Sequence, residues 1–429
     1  MRSRHSTTLG QVCYGGTVIS LTRMRRFDAW VGWPVATLLG LWPRRRRALP
    51  AAPRQIVIVK LSGLGSLLVC AGVFRALRAS QPQARQVVVS LEGTAAAARL
   101  IPEVDDVLTV SANGVWPLLR DGLRVLRELR RRRVDVIADI EYFSKLSTVF
   151  CALGGARYRL GFRLPARWRQ RLIDGGIAFR EDIHFRECVA RLLQPLGVDY
   201  RNLPEVVLTP PPAAERAAEN LLVSEPGVTA STMWMTVNPH ATALCVQRRW
   251  PLERFAQVAD ALLQKDPELR IAIPGTTEER GRAEQLRELV PSERRDRVRV
   301  LAGRTDLATL AAILRRSRLV LTGDTGVMHL AAAVGAPLVA LFGPESPVRY
   351  GPAGGIDTWN RRISDIEPQK LEGHATTRIL TGAVPCGPCL SYRNHKRAPC
   401  DAEPAACMLA ISVEEVQRAC EEVLERSAR

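Results

Sequence analysis

The sequence predicts an α/β protein of two Rossmann-like, doubly wound parallel-sheet domains facing a central cleft. Three observations carry that expectation. Short β-branched runs alternate with helical stripes of roughly ten to fifteen residues, the pattern of right-handed βαβ units. The alternation halts at a proline-rich stretch and then restarts. At 429 residues, the chain is long enough for two cores that bury themselves without disulfides or metals.

The first half opens with QIVIVKL from Gln55, a buried-strand pattern. It is followed by turn glycines Gly63 and Gly65 and a helical stripe through Leu67, Leu68, Val73, Phe74 and Leu77. QVVVSL (86–91), a periodic stretch around Ala95–Leu100, VDDVLTV (104–110), a Leu/Arg helix over 118–133 and DVIADI (135–140) continue the alternation. LPEVVLTPPPAAER (203–216) reads as a linker, because Pro210–Pro212 fit neither a helix interior nor a central strand. The second half reads as strands WMTVNPH, LRIAIPG, VRVLAG, LVLTGD and PLVALFG, with helices expected at 252–265, 278–290, 306–316 and 326–334. The expected organisation is a basic N-terminal segment at 1–54, one domain at 55–209 and a second at 210–429. A ligand is expected between the two domains, at the carboxyl ends of the strands.

The composition is that of a soluble globular chain, 46% hydrophobic and 24% charged, which excludes wholesale disorder, collagen and coiled coil. The net charge of +18 is concentrated near the start, where residues 1–54 hold ten arginines and a single acid, Asp28. No zinc-finger, RRM or KH signature accompanies it, so no nucleic-acid partner is expected. Between the arginine clusters runs FDAWVGWPVATLLGLW (27–42), too short to span a bilayer and interrupted by Pro34. Its tryptophans and flanking arginines suit an interfacial helix on an anionic inner-membrane surface. The competing reading is a helix packed on the protein's own body.

The chemistry concentrates in LVLTGDTGVMHLAAAVGAPLVALFG (319–343). A buried strand ends at Gly323, and Asp324, Thr325 and Gly326 open a helix whose first-turn N–H groups and dipole suit a diphosphate. Thr325 is expected to cap that helix, and His329 to share its face of the cleft. This block resembles the heptosyltransferases of glycosyltransferase family 9, which build lipopolysaccharide core and related glycans. KLSGLGSLL (60–68) is similar to that family's glycine loop, with Gly63, Gly65 and Ser66. GARYRLGF (155–162), RRWP (248–251) and GTTEERGRAEQL (275–286) match further family segments. The resemblance implies the GT-B fold, an acceptor domain at 55–209 and a donor-binding domain at 210–429. It places Arg248 at the family's phosphate-binding lysine and Glu279 near the donor ribose, with Asp324, Thr325, Gly326 and His329 completing the donor site.

One departure bears on catalysis. The family carries an aspartate, taken as general base, where this chain has Ser66, and serine has no useful basicity at neutral pH. Asp139 and Glu141, at the end of the fourth strand, are the candidate replacements, with Glu141 preferred. No paired-aspartate metal motif appears at a strand end, so no catalytic cofactor is expected.

Four of the ten cysteines cluster as Cys386-x2-Cys389-x10-Cys400-x6-Cys407 within an insertion at 386–407, the ingredients of a structural zinc or iron site. The combined expectation is a cytoplasmic enzyme, peripheral on the inner membrane. It would move heptose or a related sugar from a nucleotide-diphosphate donor to a lipopolysaccharide-core or other membrane-associated glycan or glycolipid, with inversion. The alternative is an inactive family member serving as a sugar-nucleotide or glycan-binding scaffold.

Overall fold

The computed structural model describes residues 28, 32–41, 47–142, 144–164, 167–224, 228–229, 232–241, 245–352, 376–382, 384–391, 398–400 and 402–427. Helix α1 (Trp33–Leu41) precedes the first sheet, which comprises β1 (Gln55–Val59), β2 (Arg85–Leu91), β3 (Asp106–Val110), β4 (Val136–Asp139) and β5 (Tyr158–Gly161). Around it lie α2 (Leu64–Leu68), α3 (Ala71–Ser80), α4 (Glu92–Arg99), α5 (Val115–Arg131), α6 (Lys145–Leu153), α7 (Arg167–Leu172) and α8 (Phe185–Leu193). The strand order is β3-β2-β1-β4-β5, parallel throughout. Both faces are covered by helices, so the strands are continuous apolar runs and not alternating ones.

The chain then crosses to α9 (Pro212–Val223) and a second parallel sheet. Its strands are β6 (Trp234–Asn238), β7 (Arg270–Ile273), β8 (Val298–Val300), β9 (Leu319–Gly323), β10 (Leu338–Phe342) and β11 (Thr377–Thr381), in the order β11-β10-β9-β6-β7-β8. Helices α10 (Leu252–Lys265), α11 (Arg280–Leu289), α12 (Leu307–Arg316), α13 (Gly326–Ala333), α14 (Pro347–Tyr350), α15 (Ala406–Leu409) and α16 (Val413–Ser427) complete this half. One apolar core runs through both halves: Ile56, Leu67 and Phe74 belong to the same cluster as Met328, Leu330 and Phe342.

Local chemistry explains two departures from the sequence expectation. Pro212 is not spacer: it occupies the first turn of α9, where its missing N–H costs nothing. The Leu/Arg helix begins at Val115, three residues earlier than expected, with Gly114 at φ +125° before it. Strand β5 (YRLG) went unread because it is four residues long with no β-branched residue, and β11 because 34 residues (343–376) separate it from β10 in the sequence, although the two pair in parallel.

The N-terminal helix is packed on the first half. Helix α1 packs on α6 and α7, with Ala36 sealed against Val149 and Leu172. Asp28 accepts hydrogen bonds from the N–H groups of Lys145 (3.0 Å) and Leu146 (2.7 Å), anchoring the segment to the start of α6. One face of α1 is thus packed on the body, while Leu38 and Leu41 stay exposed. Phe27, Trp30, Val31 and Trp42 lie outside the described residues. Among the described residues, no helix is long and apolar enough to cross a membrane.

Candidate active site

The carboxyl ends of the two sheets meet across a cavity of about 300 Å³. Leu64 and Gly93 line it from the first half, and Asn238, Glu279, Asp306, Thr325 and Gly326 from the second. Two helix starts converge here, since α2 and α13 pack on each other. Thr325 and Gly326 stay half-buried at the start of α13, which leaves the first-turn amides beside the cavity.

Thr325 does not cap α13 with its side chain. Its hydroxyl turns back toward β6 and β9, accepting from Asn238 Nδ2 at 3.2 Å and sharing a 3.3 Å contact with the Thr322 hydroxyl. The side chain that would cap the helix instead braces the turn between two strands.

Beside it, Arg248 bridges two buried carboxylates. Its Nη1 lies 3.2 Å from Asp324 Oδ2, and its Nη2 lies 3.4 Å from Glu345 Oε2. Burial works against the guanidinium charge, but Asp324 and then Glu345 outweigh it and hold the group above its ordinary range. Glu279 heads α11, with Oε2 accepting from the Thr276 N–H at 2.9 Å. His329 does not line the cavity. It is buried on the face of α13 toward the first half, where its ring occupies the space a side chain at Gly65 would need.

On the first-half side, β1 runs into Lys60 and the glycine loop. Gly63 adopts φ +90°, a left-handed conformation that favours glycine. Ser66 Oγ donates to the Gly63 carbonyl at 2.7 Å, so this side chain is folded back on its own loop. Glu141 is buried and paired: Oε1 lies 2.9 Å from Lys60 Nζ and accepts from the Ser62 N–H at 2.8 Å. Asp139 is fully enclosed. Its Oδ2 accepts from Thr148 Oγ1 (2.6 Å), Ser147 Oγ (3.1 Å) and Arg169 Nη2 (3.0 Å), while Oδ1 accepts from the Glu141 N–H (3.1 Å). Burial raises its pKa against the lowering pull of Arg169 and Thr148. Asp139 is thereby the post on which the 139–141 turn is built, with Glu141 at the tip.

The halves are tied close to this tip. Tyr142 and Tyr350 share a hydroxyl–hydroxyl hydrogen bond, His184 Nε2 bonds the Gly351 carbonyl at 3.1 Å, and Arg349 Nε donates to the Glu181 carbonyl at 3.0 Å. His240 also lines the cavity, with its Nε2 3.0 Å from the Pro274 carbonyl. Sequence reasoning missed Lys60, Arg169, His240 and Glu345. Lys60 directly follows the first strand and Glu345 follows the FGP turn after β10, both motifs that were read, so position alone could have flagged them.

The cysteine expectation needs correction. Cys386 is exposed, Cys389 and Cys400 half-buried and Cys407 buried. The thiols are near enough to influence one another: Cys389 is pushed up to about 11, by burial first and then by Cys400, Cys407 and Cys386. Yet among the described residues no three His, Cys, Asp or Glu side chains are grouped to hold a metal ion. A tetrathiolate site needs thiolates converging at about 2.3 Å from one point, and this arrangement does not fit it. The segment is held instead by the backbone, with the N–H groups of Cys389 (3.0 Å) and Leu390 (2.9 Å) donating to the Pro344 carbonyl.

Two parallel α/β sheets whose carboxyl ends face one cavity give the architecture of the GT-B fold. Residues 123–376, more than half of the chain, match the family described as glycosyltransferase family 9 (heptosyltransferase), and the chain belongs to that family. It is 24% identical over 299 residues to lipopolysaccharide heptosyltransferase 2 of Salmonella typhimurium, an alignment covering 68% of this chain and 84% of the relative. Its fold is similar to a family 9 glycosyl transferase from Veillonella parvula (TM-score 0.69, 20% identity, 89% of this chain and 99% of that one). It is also similar to E. coli ADP-heptose lipopolysaccharide heptosyltransferase II (TM-score 0.67, 18% identity, 87% and 100%).

Proposed function

We propose that this protein transfers heptose or a related sugar from a nucleotide-diphosphate donor to a lipopolysaccharide-core or other membrane-associated glycan acceptor, with inversion. The observation that carries the reading is the open start of α13 at the interdomain cavity, with Arg248 beside it. A diphosphate seated on the α13 amides receives hydrogen bonds that strengthen as charge builds on the departing group. Arg248, held protonated by Asp324 and Glu345, adds positive field there, so the step draws on peptide dipoles and a guanidinium for charge stabilisation. Glu279, on the cavity wall, takes the donor ribose, and His329 fixes α13 against the glycine loop.

In this reading Glu141 takes the acceptor proton, the work Ser66 cannot do, with Lys60 paired to it at 2.9 Å. Asp139 positions Glu141 and does not meet substrate. The enzyme works at the cytoplasmic face of the inner membrane, where its acceptor is exposed.

Ser66 favours one competing reading, an inactive scaffold that binds the same ligands. Thermal shift against a panel of nucleotide-diphosphate sugars, followed by transfer assays with the stabilising donor, separates the two. A donor at a hundred times its dissociation constant adds about 2.7 kcal/mol. Stabilisation with transfer supports the enzyme; stabilisation without transfer by any acceptor leaves the scaffold; no stabilisation by any donor removes both.

A further inference from the structure

Helix α5 carries an outer face that nothing in the described structure covers. Its inner face is ordinary: Val125 and Leu129 pack under the sheet against Val57, Val59 and Val87. Its outer face is not. Trp116 is 81% exposed and Leu123 52%, with Val115 and Leu119 also in solvent. Residues 116, 119 and 123 recur at helical spacing and form one stripe, which a soluble helix would ordinarily make polar.

Alongside the stripe runs a second one. Arg120, Arg124, Arg127 and Arg131 follow at i, i+4, i+7 and i+11, all exposed. The two acids of the helix do not face this row unpaired. Asp121 is buried, accepts from the Ser111 N–H at 3.1 Å and pairs with Arg120 at 3.1 Å and Arg124 at 3.9 Å, and Glu128 is bound by Arg131 (2.7 Å) and Arg132 (2.6 Å), while the guanidinium heads of the row stay exposed.

We propose that α5 lies on an anionic phospholipid bilayer, with Trp116, Leu119 and Leu123 entering the headgroup–acyl boundary and the arginine row contacting phosphates. A tryptophan-bearing apolar stripe edged by cations complements that surface along its whole length. Two placements agree with it. The apolar end of α5 follows directly from the carboxyl end of β3, which is the cleft side of a parallel sheet. Helix α6 packs against both α5 and α1, and α1 also leaves leucines, Leu38 and Leu41, exposed on this side of the sheet. The bilayer thus meets the first half next to the cleft, where a lipid-borne acceptor arrives. This gives the proposed membrane-borne acceptor its route and rests on that reading for its purpose, although its test uses neither donor nor acceptor.

The full chain is sedimented with vesicles of phosphatidylcholine alone and with equal parts phosphatidylcholine and phosphatidylglycerol. The expected result is binding to the anionic vesicles that weakens with salt. The triple variant Trp116→Ser/Leu119→Ser/Leu123→Ser lowers the partition coefficient on the order of ten-fold or more. The variant Arg127→Glu, at the one arginine of the row that pairs with neither Asp121 nor Glu128 among the described residues, lowers the preference for phosphatidylglycerol. All these side chains are exposed, so thermal midpoints stay at the wild-type value and confirm folding. Donor-induced thermal shift on the same variants stays unchanged, which separates failure here from failure of the transferase reading. Wild-type vesicle binding by the triple variant overturns the proposal. So does a concentration-dependent wild-type dimer that the triple variant makes monomeric, because the stripe then belongs to a second copy.

Discussion

Lys60 Nζ lies 2.9 Å from Glu141 Oε1, and the two side chains are only 4% and 5% exposed. A buried pair of this kind adds little net stability while intact, but breaking it strands an uncompensated charge.

Glu141→Gln is therefore expected to cost about 3 kcal/mol or more in urea denaturation and to lower transfer by roughly a hundred-fold or more, as loss of a general base does. Lys60→Met carries a similar stability cost. The double variant Lys60→Met/Glu141→Leu regains most of the stability and none of the transfer. Recovery of transfer in that double variant would remove Glu141 from the chemistry.

Arg248 serves two carboxylates, so the kind of cation matters there. Arg248→Lys keeps the charge but not the planar fork that reaches both Asp324 and Glu345. Calorimetric titration of the donor is expected to show about ten- to a hundred-fold weaker binding, equivalent to about 1.4–2.8 kcal/mol. Arg248→Met removes a cation from beside the buried carboxylates of Asp324 and Glu345, although Glu345 keeps Arg349 at 3.5 Å, and lowers thermal stability as well.

A side chain at Gly65 has no room, because the His329 ring fills the position its Cβ would take. Gly65→Ala is expected to destabilise by about 1–3 kcal/mol through overpacking and to weaken donor binding by shifting α2 off α13. Adding His329→Ala opens the space and recovers part of the stability of Gly65→Ala. If the two losses simply add in chemical denaturation, the contact does not couple the halves.

His184 predicts the acid limb of stability. Burial, then Arg186, depresses its pKa to about 4, while its Nε2 bonds the Gly351 carbonyl across the halves. In the unfolded chain it titrates near its ordinary value of about 6.5. Below that value the unfolded state binds the extra proton, so this stability is complete above about pH 6.5 and is lost as pH falls through about 4. Full loss amounts to about 3 kcal/mol. Burial lowers the pKa of His240 in the same direction. His184→Gln is expected to flatten the fall between pH 6.5 and 4, measured as denaturation midpoints against pH; an unchanged slope would show that other groups set it.

The local periodicities of this chain were enough to read two parallel α/β halves, the helix start at Asp324–Gly326 and the interdomain cleft. Each of those rests on residues a few positions apart, and strand alternation and helix-start chemistry act over that range. Glu279, Thr325 and Gly326 reach the cavity because a parallel sheet sends every strand's carboxyl end to one edge. Partnership across the fold was not legible. That Glu141 meets Lys60, that Glu345 joins Arg248 and that Tyr142 meets Tyr350 depends on which strands become neighbours and how closely the halves pack. The same holds for α1, whose composition suited a membrane surface as well as the groove it occupies on α6 and α7. The four cysteines show the limit most plainly: spacing in the chain supplied candidate ligands, but convergence on one point is a property of three-dimensional packing alone.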